Sequence, residues 1–182
     1  MNSTDSLSAV RVIPRPKTEE AAAYYFKYIE EVEGNDGMQA LQNQYFSALN
    51  FFKSIPEKKW SYRYQQDKWS IKQVLLHLID AERVFAYRAL RIGRGDDNPI
   101  QGFDHEEYIK TCGADDRSPI SLIEEYKTVR LSTYSLFENI PSSALTNFGI
   151  ANDHSVSCRA LAWIIAGHEN HHIRILKERY LN

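Results

Sequence analysis

Apolar residues recur at spacings of three and four along most of the chain, the period that gathers side chains on one face of an α-helix. Met38, Leu41, Tyr45, Ala48, Leu49 and Phe52 form the first long stripe. It stops before Pro56, because a proline pushes the preceding residue out of the helical region. Val74, His77, Leu78, Ala81, Val84 and Phe85 form the second. Ser70 with Gln73 marks its start, a pair that can satisfy two free amides of a helix N-terminus reciprocally, and residues 93–95 carry the glycines that end it. Leu122, Ile123, Tyr126, Val129, Arg130, Thr133, Leu136 and Phe137 form the third, opened by Ser118 with Pro119 at the first helical position. Leu161, Ile164, Ile165, His168, His172, Ile175 and Leu176 form the fourth, over residues 160–180, with Ser155 or Ser157 as its cap.

The segments between these stripes complete the architecture. Residues 1–17 are polar, carry Pro14 and Pro16, and read as an extended arm. Residues 18–32 predict a short helix with Thr18 as cap and Tyr24, Tyr25, Tyr28 and Ile29 on its apolar side. The connection from 93 to 119 is long for a bundle and holds a short helical piece near residues 104–112; long ordered connections often cover a site. Residues 57–68 and 142–154 read as loops, without the clean alternation that predicts a strand. The expectation is an all-α protein: an antiparallel four-helix bundle with an extra short N-terminal helix and a long connection between the second and third bundle helices. One domain spans 18–182 behind the arm at 1–17.

Composition narrows the partners. The chain has 182 residues, 43% of them apolar, enough for one domain with a real core. The net charge of −2 leaves no basic footprint for nucleic acid. Cys112 and Cys158 follow no metal or redox spacing. No N-terminal apolar run reads as a signal peptide, and no stretch is long and apolar enough to span a membrane. A cytoplasmic, reduced protein is expected. The Arg94-Gly95-Asp96 tripeptide is read as chance in such a chain.

The candidate chemistry lies in the histidines. His168 and His172 are four residues apart on an inward face, and a buried imidazole needs partners for both ring nitrogens. A divalent metal serves two such rings together. The letters His168-Glu169-x-x-His172 also match the zinc-peptidase motif. A peptidase of the metzincin kind would need a glycine where Arg174 stands; without it Glu178 lies about 600° of helix rotation past His172 and points away. The third ligand must come from upstream, and His77 sits inside the second stripe. Three neutral nitrogens leave positions open, the pattern of a catalytic rather than a structural metal. His105 and His154, in loops, and His171, off the inner face, are left out. Asp80, one turn past His77, is a candidate to orient a ligand ring; the alternative is a surface carboxylate. Glu169 is turned about 100° from His168 and is expected to face a neighbouring helix or a partner. Arg88 and Arg130 are weak candidates for an anionic part of a substrate or cofactor, a structural ion pair being the plainer reading of each.

Residues 68–83, Lys-Trp-Ser-Ile-Lys-Gln-Val-Leu-Leu-His-Leu-Ile-Asp-Ala-Glu-Arg, together with Tyr87-Arg88-Ala89-Leu90, Arg94-Gly95-Asp96, Ala162-Trp163 and Gly167-His168-Glu169-Asn170-His171-His172, resemble the DinB-like (YfiT-like) superfamily of bacterial metal-binding bundles. The resemblance runs from about Met38 to Leu181. It implies that His77, His168 and His172 bind one divalent metal. Zinc, nickel, iron and manganese are not distinguished by three imidazoles. It also implies a small-molecule substrate, a homodimer, and metal-activated transfer of a low-molecular-weight thiol to an electrophile. A thiol on a divalent metal is deprotonated outright. The alternatives are metal-dependent hydrolysis, which needs the same triad and vacant position, and a non-catalytic dimeric module stabilised by its metal.

Overall fold

The computed structural model describes residues 11–181. The first ten residues of the expected arm lie outside them. The rest of the arm runs across the domain: Ile13 is fully buried, its carbonyl accepts from Trp163 Nε1 at 3.2 Å, and Arg15 stacks over the Trp163 ring.

Six α-helices follow: α1 (Ala23–Ile29), α2 (Gly37–Ser54), α3 (Ile71–Gly93), α4 (His105–Thr111), α5 (Pro119–Asn139) and α6 (Cys158–Ile175). Their starts obey local chemistry. Asp36, Ser70, Asp104, Ser118 and Ser157 each accept a backbone N–H in the first turn of the helix they precede, and Ser70 and Gln73 close a reciprocal capping box. The short helix α1 begins later than the sequence suggests. Thr18–Glu20 is a separate 3₁₀ turn, whose Glu20 is held by Arg159 and by Ser157, which donates to it at 2.7 Å. That pairing draws the acidic turn toward α6, away from the axis of α1.

α2, α3, α5 and α6 make the four-helix bundle. α3 packs on α5 and α6, and α2 packs on the same two, so α2 and α3 face each other across the diagonal. Contacts between helix ends give the directions. Ser70 donates to Asp115, just before α5, at 2.6 Å, and Gly93 meets Ile140 at the far ends, so α3 and α5 run parallel. Gly37 meets Trp163, and Lys177 lies over Phe51, so α2 and α6 run parallel. The antiparallel neighbours are α3 with α6, through His77 and His168, and α2 with α5, through Leu41 with Arg130 and Phe52 with Tyr126. Long connections at 55–70 and 94–118 make this arrangement possible, because short loops would join only antiparallel neighbours.

The loop expected at 142–154 contains a hairpin, β1 (Phe148–Ala151) and β2 (His154–Ser157), antiparallel with Ala151 opposite His154. Asn152 and Asp153 both have positive φ, 51° and 62°, the left-handed pair of a tight two-residue turn, which Asn and Asp tolerate best after glycine. The connection from α3 to α4 docks on it: Ile100 N donates to the Ile150 carbonyl at 2.8 Å, and Asn152 N to the Ile100 carbonyl at 2.9 Å. The hairpin thereby fixes the residues leading into α4.

α1 lies directly on α6. A Cβ on Gly167 would overlap the backbone carbonyl of Tyr28, so only glycine allows this approach. It brings the tyrosines of α1 to the histidines of α6. Among the described residues, no helix is long and apolar enough to cross a membrane.

Candidate metal centre

His77 lies two turns into α3, inside the stripe that buries Val74, Leu78, Ala81 and Phe85. His168 and His172 lie one turn apart on α6, where Leu161, Ile164 and Ile165 set the inward face. Since α3 and α6 are antiparallel neighbours, the first half of one meets the second half of the other, and the three rings converge. His168 Nε2 stands 3.1 Å from His77 Nε2 and 3.1 Å from His172 Nε2. One ring nitrogen from each residue lies within 4.8 Å of both others.

These distances suit a metal. Ligand nitrogens about 2.05 Å from a tetrahedral ion stand about 3.3 Å apart. The rings also favour the state a metal requires. Burial pushes His77 down to about 3, and burial with the neighbouring imidazoles holds His168 and His172 well below the ordinary range. All three are therefore neutral at neutral pH, with lone pairs available. Trp69 packs on the His77 ring at 4.9 Å, and Tyr28 and Phe85 meet the His168 ring edge-on at 5.4 and 5.9 Å. The three-His cluster is consistent with one divalent metal.

The cluster opens on a cavity of about 420 Å³. α1 supplies Tyr24, Tyr25 and Tyr28 to its wall, α3 supplies Phe85 and Arg88, and the connection supplies Phe103. His105 and His171, set aside on the sequence, line it as well. The His105 ring is 5.6 Å from that of His77, and His171 pairs with Glu31 at 3.2 Å. No periodicity could place His105, because its position depends on where the hairpin anchors a loop. A signal for the tyrosine wall existed in the apolar side of α1, but only the close approach at Gly167 decides what that side faces.

The remaining candidates separate. Arg88 is 2% exposed and lines the cavity. Arg130 does not line it. Its guanidinium donates to Glu82 at 2.8 and 2.9 Å and to Glu169 at 2.9 Å, in the interior between α3, α5 and α6. Asp80 turns outward to Arg83 at 3.4 Å and lines a separate cleft with Thr111, Cys112 and Arg117. Arg130 is thus taken up by carboxylates, and Asp80 lies with Arg83 in a cleft that the three histidines do not line. Glu169 receives the Tyr126 hydroxyl at 2.7 Å as well as Arg130. It therefore faces neighbouring helices and is not positioned to act on water at the His cluster.

The chain belongs to the DinB superfamily, whose sequence profile matches residues 40–176. Its fold is similar to the solved structure of YfiT from Bacillus subtilis, with a TM-score of 0.70 and 14% identity over 90% of this chain and 89% of that one. YfiT is described as a probable metal-dependent hydrolase with an unusual four-helix bundle topology. No curated protein sequence matches this chain significantly.

Proposed function

We propose that this protein is a metal-dependent hydrolase of small molecules, with His77, His168 and His172 holding one divalent ion. The observation that carries the proposal is the convergence of three neutral imidazole nitrogens at the wall of an open cavity, with no carboxylate or thiol completing the group among the described residues. A structural site is closed by a fourth protein ligand, whereas a catalytic one keeps a position free. An ion held there supplies Lewis acidity and a nucleophile from water at neutral pH. The chain's own residues do the rest. α3 and α6 fix the three nitrogens on rigid elements. Trp69 and Phe85 pack on the His77 and His168 rings and hold them in place.

The open cavity favours an enzyme over an interaction module, whose site would be plugged. Hydrolysis is preferred over thiol transfer because the structurally similar Bacillus protein is described as a probable metal-dependent hydrolase.

Metal analysis of the purified protein tests this, followed by a screen of chromogenic esters, amides and phosphoesters with the metal restored. One ion per chain, lost in His77→Ala, His168→Ala and His172→Ala, with turnover lost in parallel, is the expected result. Folded protein that takes up none of zinc, nickel, iron or manganese overturns the proposal.

A further inference from the structure

Arg88 and Arg130 are buried to the same degree, 2% and 1% exposed, yet their surroundings differ. Arg130 has two carboxylates. Arg88 has none among the described residues. Its Nη1 reaches the Tyr25 hydroxyl and its Nη2 the Gln101 carbonyl, both at 3.4 Å, and both acceptors are neutral. Its Nε is buried with no acceptor. A guanidinium enclosed without a counter-charge is costly, and it is the side chain best shaped to grip a planar carboxylate.

Its position is equally specific. Arg88 is three helical turns beyond His77 on the same face of α3, and helical side chains lean back toward the N-terminus. Arg88 Cζ lies 5.7 Å from the Phe85 ring centroid, which is 5.9 Å from that of His168. The guanidinium is thus separated from the metal ligands by a single ring. No Asp or Glu lines the cavity among the described residues, while Tyr24, Tyr25, Phe85 and Phe103 do. Its charged groups therefore favour an anion, and its rings favour an apolar body.

We propose that Arg88 is the specificity residue of this cavity and binds the carboxylate of a small substrate whose apolar, ring-sized body lies against Tyr25 and Phe85, with the reacting group directed to the His cluster. The assignment of a reacting group rests on the hydrolase reading; the carboxylate site does not.

The probes are 3-phenylpropionate and 3-phenylpropionamide, alike in shape and different in charge. They are titrated into the full-length protein, as purified and after zinc loading, at about pH 8, where free imidazoles are neutral. The acid is expected to bind at least about tenfold more tightly than the amide, the scale of a charge-assisted hydrogen bond. The Arg88 Nε–H resonance is expected to shift with the acid only, a readout that needs no variant. Arg88→Gln is expected to bring the two affinities within about twofold, and Arg88→Lys to restore part of the difference. Equal affinities in the wild type, an unmoved Nε–H resonance, or a preference that persists in Arg88→Gln overturns the proposal. Metal uptake is followed in the same samples. Metal uptake without carboxylate preference sinks this inference alone, and carboxylate preference in protein that takes up none of zinc, nickel, iron or manganese sinks the hydrolase reading alone.

Discussion

Two polar clusters are buried side by side between α3 and α6, and they differ in what they need. In one, His77, His168 and His172 turn like groups toward each other, nitrogen to nitrogen. In the other, Arg130 is flanked by Glu82 and Glu169, and Tyr126 donates to Glu169. His168 and Glu169 are consecutive residues, turned apart by about 100° of helix, and each belongs to a different cluster. The second cluster is matched from within: its donors meet acceptors, with only Glu169 Oε1 left without a partner. Burial pushes the Glu169 carboxyl up, and Arg130 opposes that shift. The first cluster is matched only in part from within: His168 Nε2 faces two other ring nitrogens at 3.1 Å with a single lone pair or a single N–H to offer them. The difference teaches how to read a buried polar group here. Complementary partners mark structure, and converging like nitrogens are consistent with a place for a metal ion.

The largest expected effect tests the matched cluster. Arg130→Met leaves two carboxylates buried without their cation and should cost about 3–5 kcal/mol, measured by urea denaturation. A loss under about 1 kcal/mol would mean that the carboxylates take up protons or water and that the cluster is not a structural unit. His168→Ala should do the reverse. Changes behind a metal's ligands already cost about 10–100-fold in affinity, so losing one ligand of three should weaken zinc affinity by about a hundredfold or more, while the metal-free protein changes little in stability.

Glu169→Gln separates the neighbours. It should lower stability by about 1–3 kcal/mol through weakened charge-assisted bonds and leave one zinc per chain. If instead it kept full stability and abolished turnover of a hydrolysable ester, the zinc-peptidase reading of these letters would return.

Acid should distinguish the metal-free His cluster from a matched ion pair. Burial holds His77 down at about 3 and the other two rings low. The unfolded chain takes up those protons near pH 6.5 and the folded protein does not. The unfolded state therefore binds more protons, and stability falls as pH drops below about 6.5, continuing toward 3. Glu20 behaves differently. Burial raises its carboxyl, but Arg159 and Ser157 outweigh burial and bring it down to about 2. Its contribution is complete above the ordinary carboxylate range near 4.5 and disappears as pH falls through about 2. Denaturation midpoints against pH should show both windows, with only the lower one reduced in Arg159→Gln. The smallest effect is expected of Asp80→Asn, within about 0.5 kcal/mol and without change in zinc affinity, because Asp80 faces Arg83 in a partly open cleft.

The sequence by itself determined the long helices and which three histidines share their inward faces. Periods of three and four name the inward face, and caps such as Ser70, Ser118 and Ser157 fix where helices start, because these depend on neighbours within one or two turns. His77, His168 and His172 were legible for the same reason: each lies on a face that its own helix defines. Long-range geometry decided the rest. The parallel pairing of α3 with α5 follows from how the long connections cross the bundle. The hairpin at 148–157 was hidden because its turn is Asn152-Asp153, without the glycine that usually marks one, and its short strands gain their place by docking Ile100. Arg88 and Arg130 are indistinguishable as letters on two apolar stripes. Only packing shows that one meets Glu82 and Glu169 while the other meets neutral oxygens, because a side chain's electrostatic partners come from other helices, and no local pattern records them.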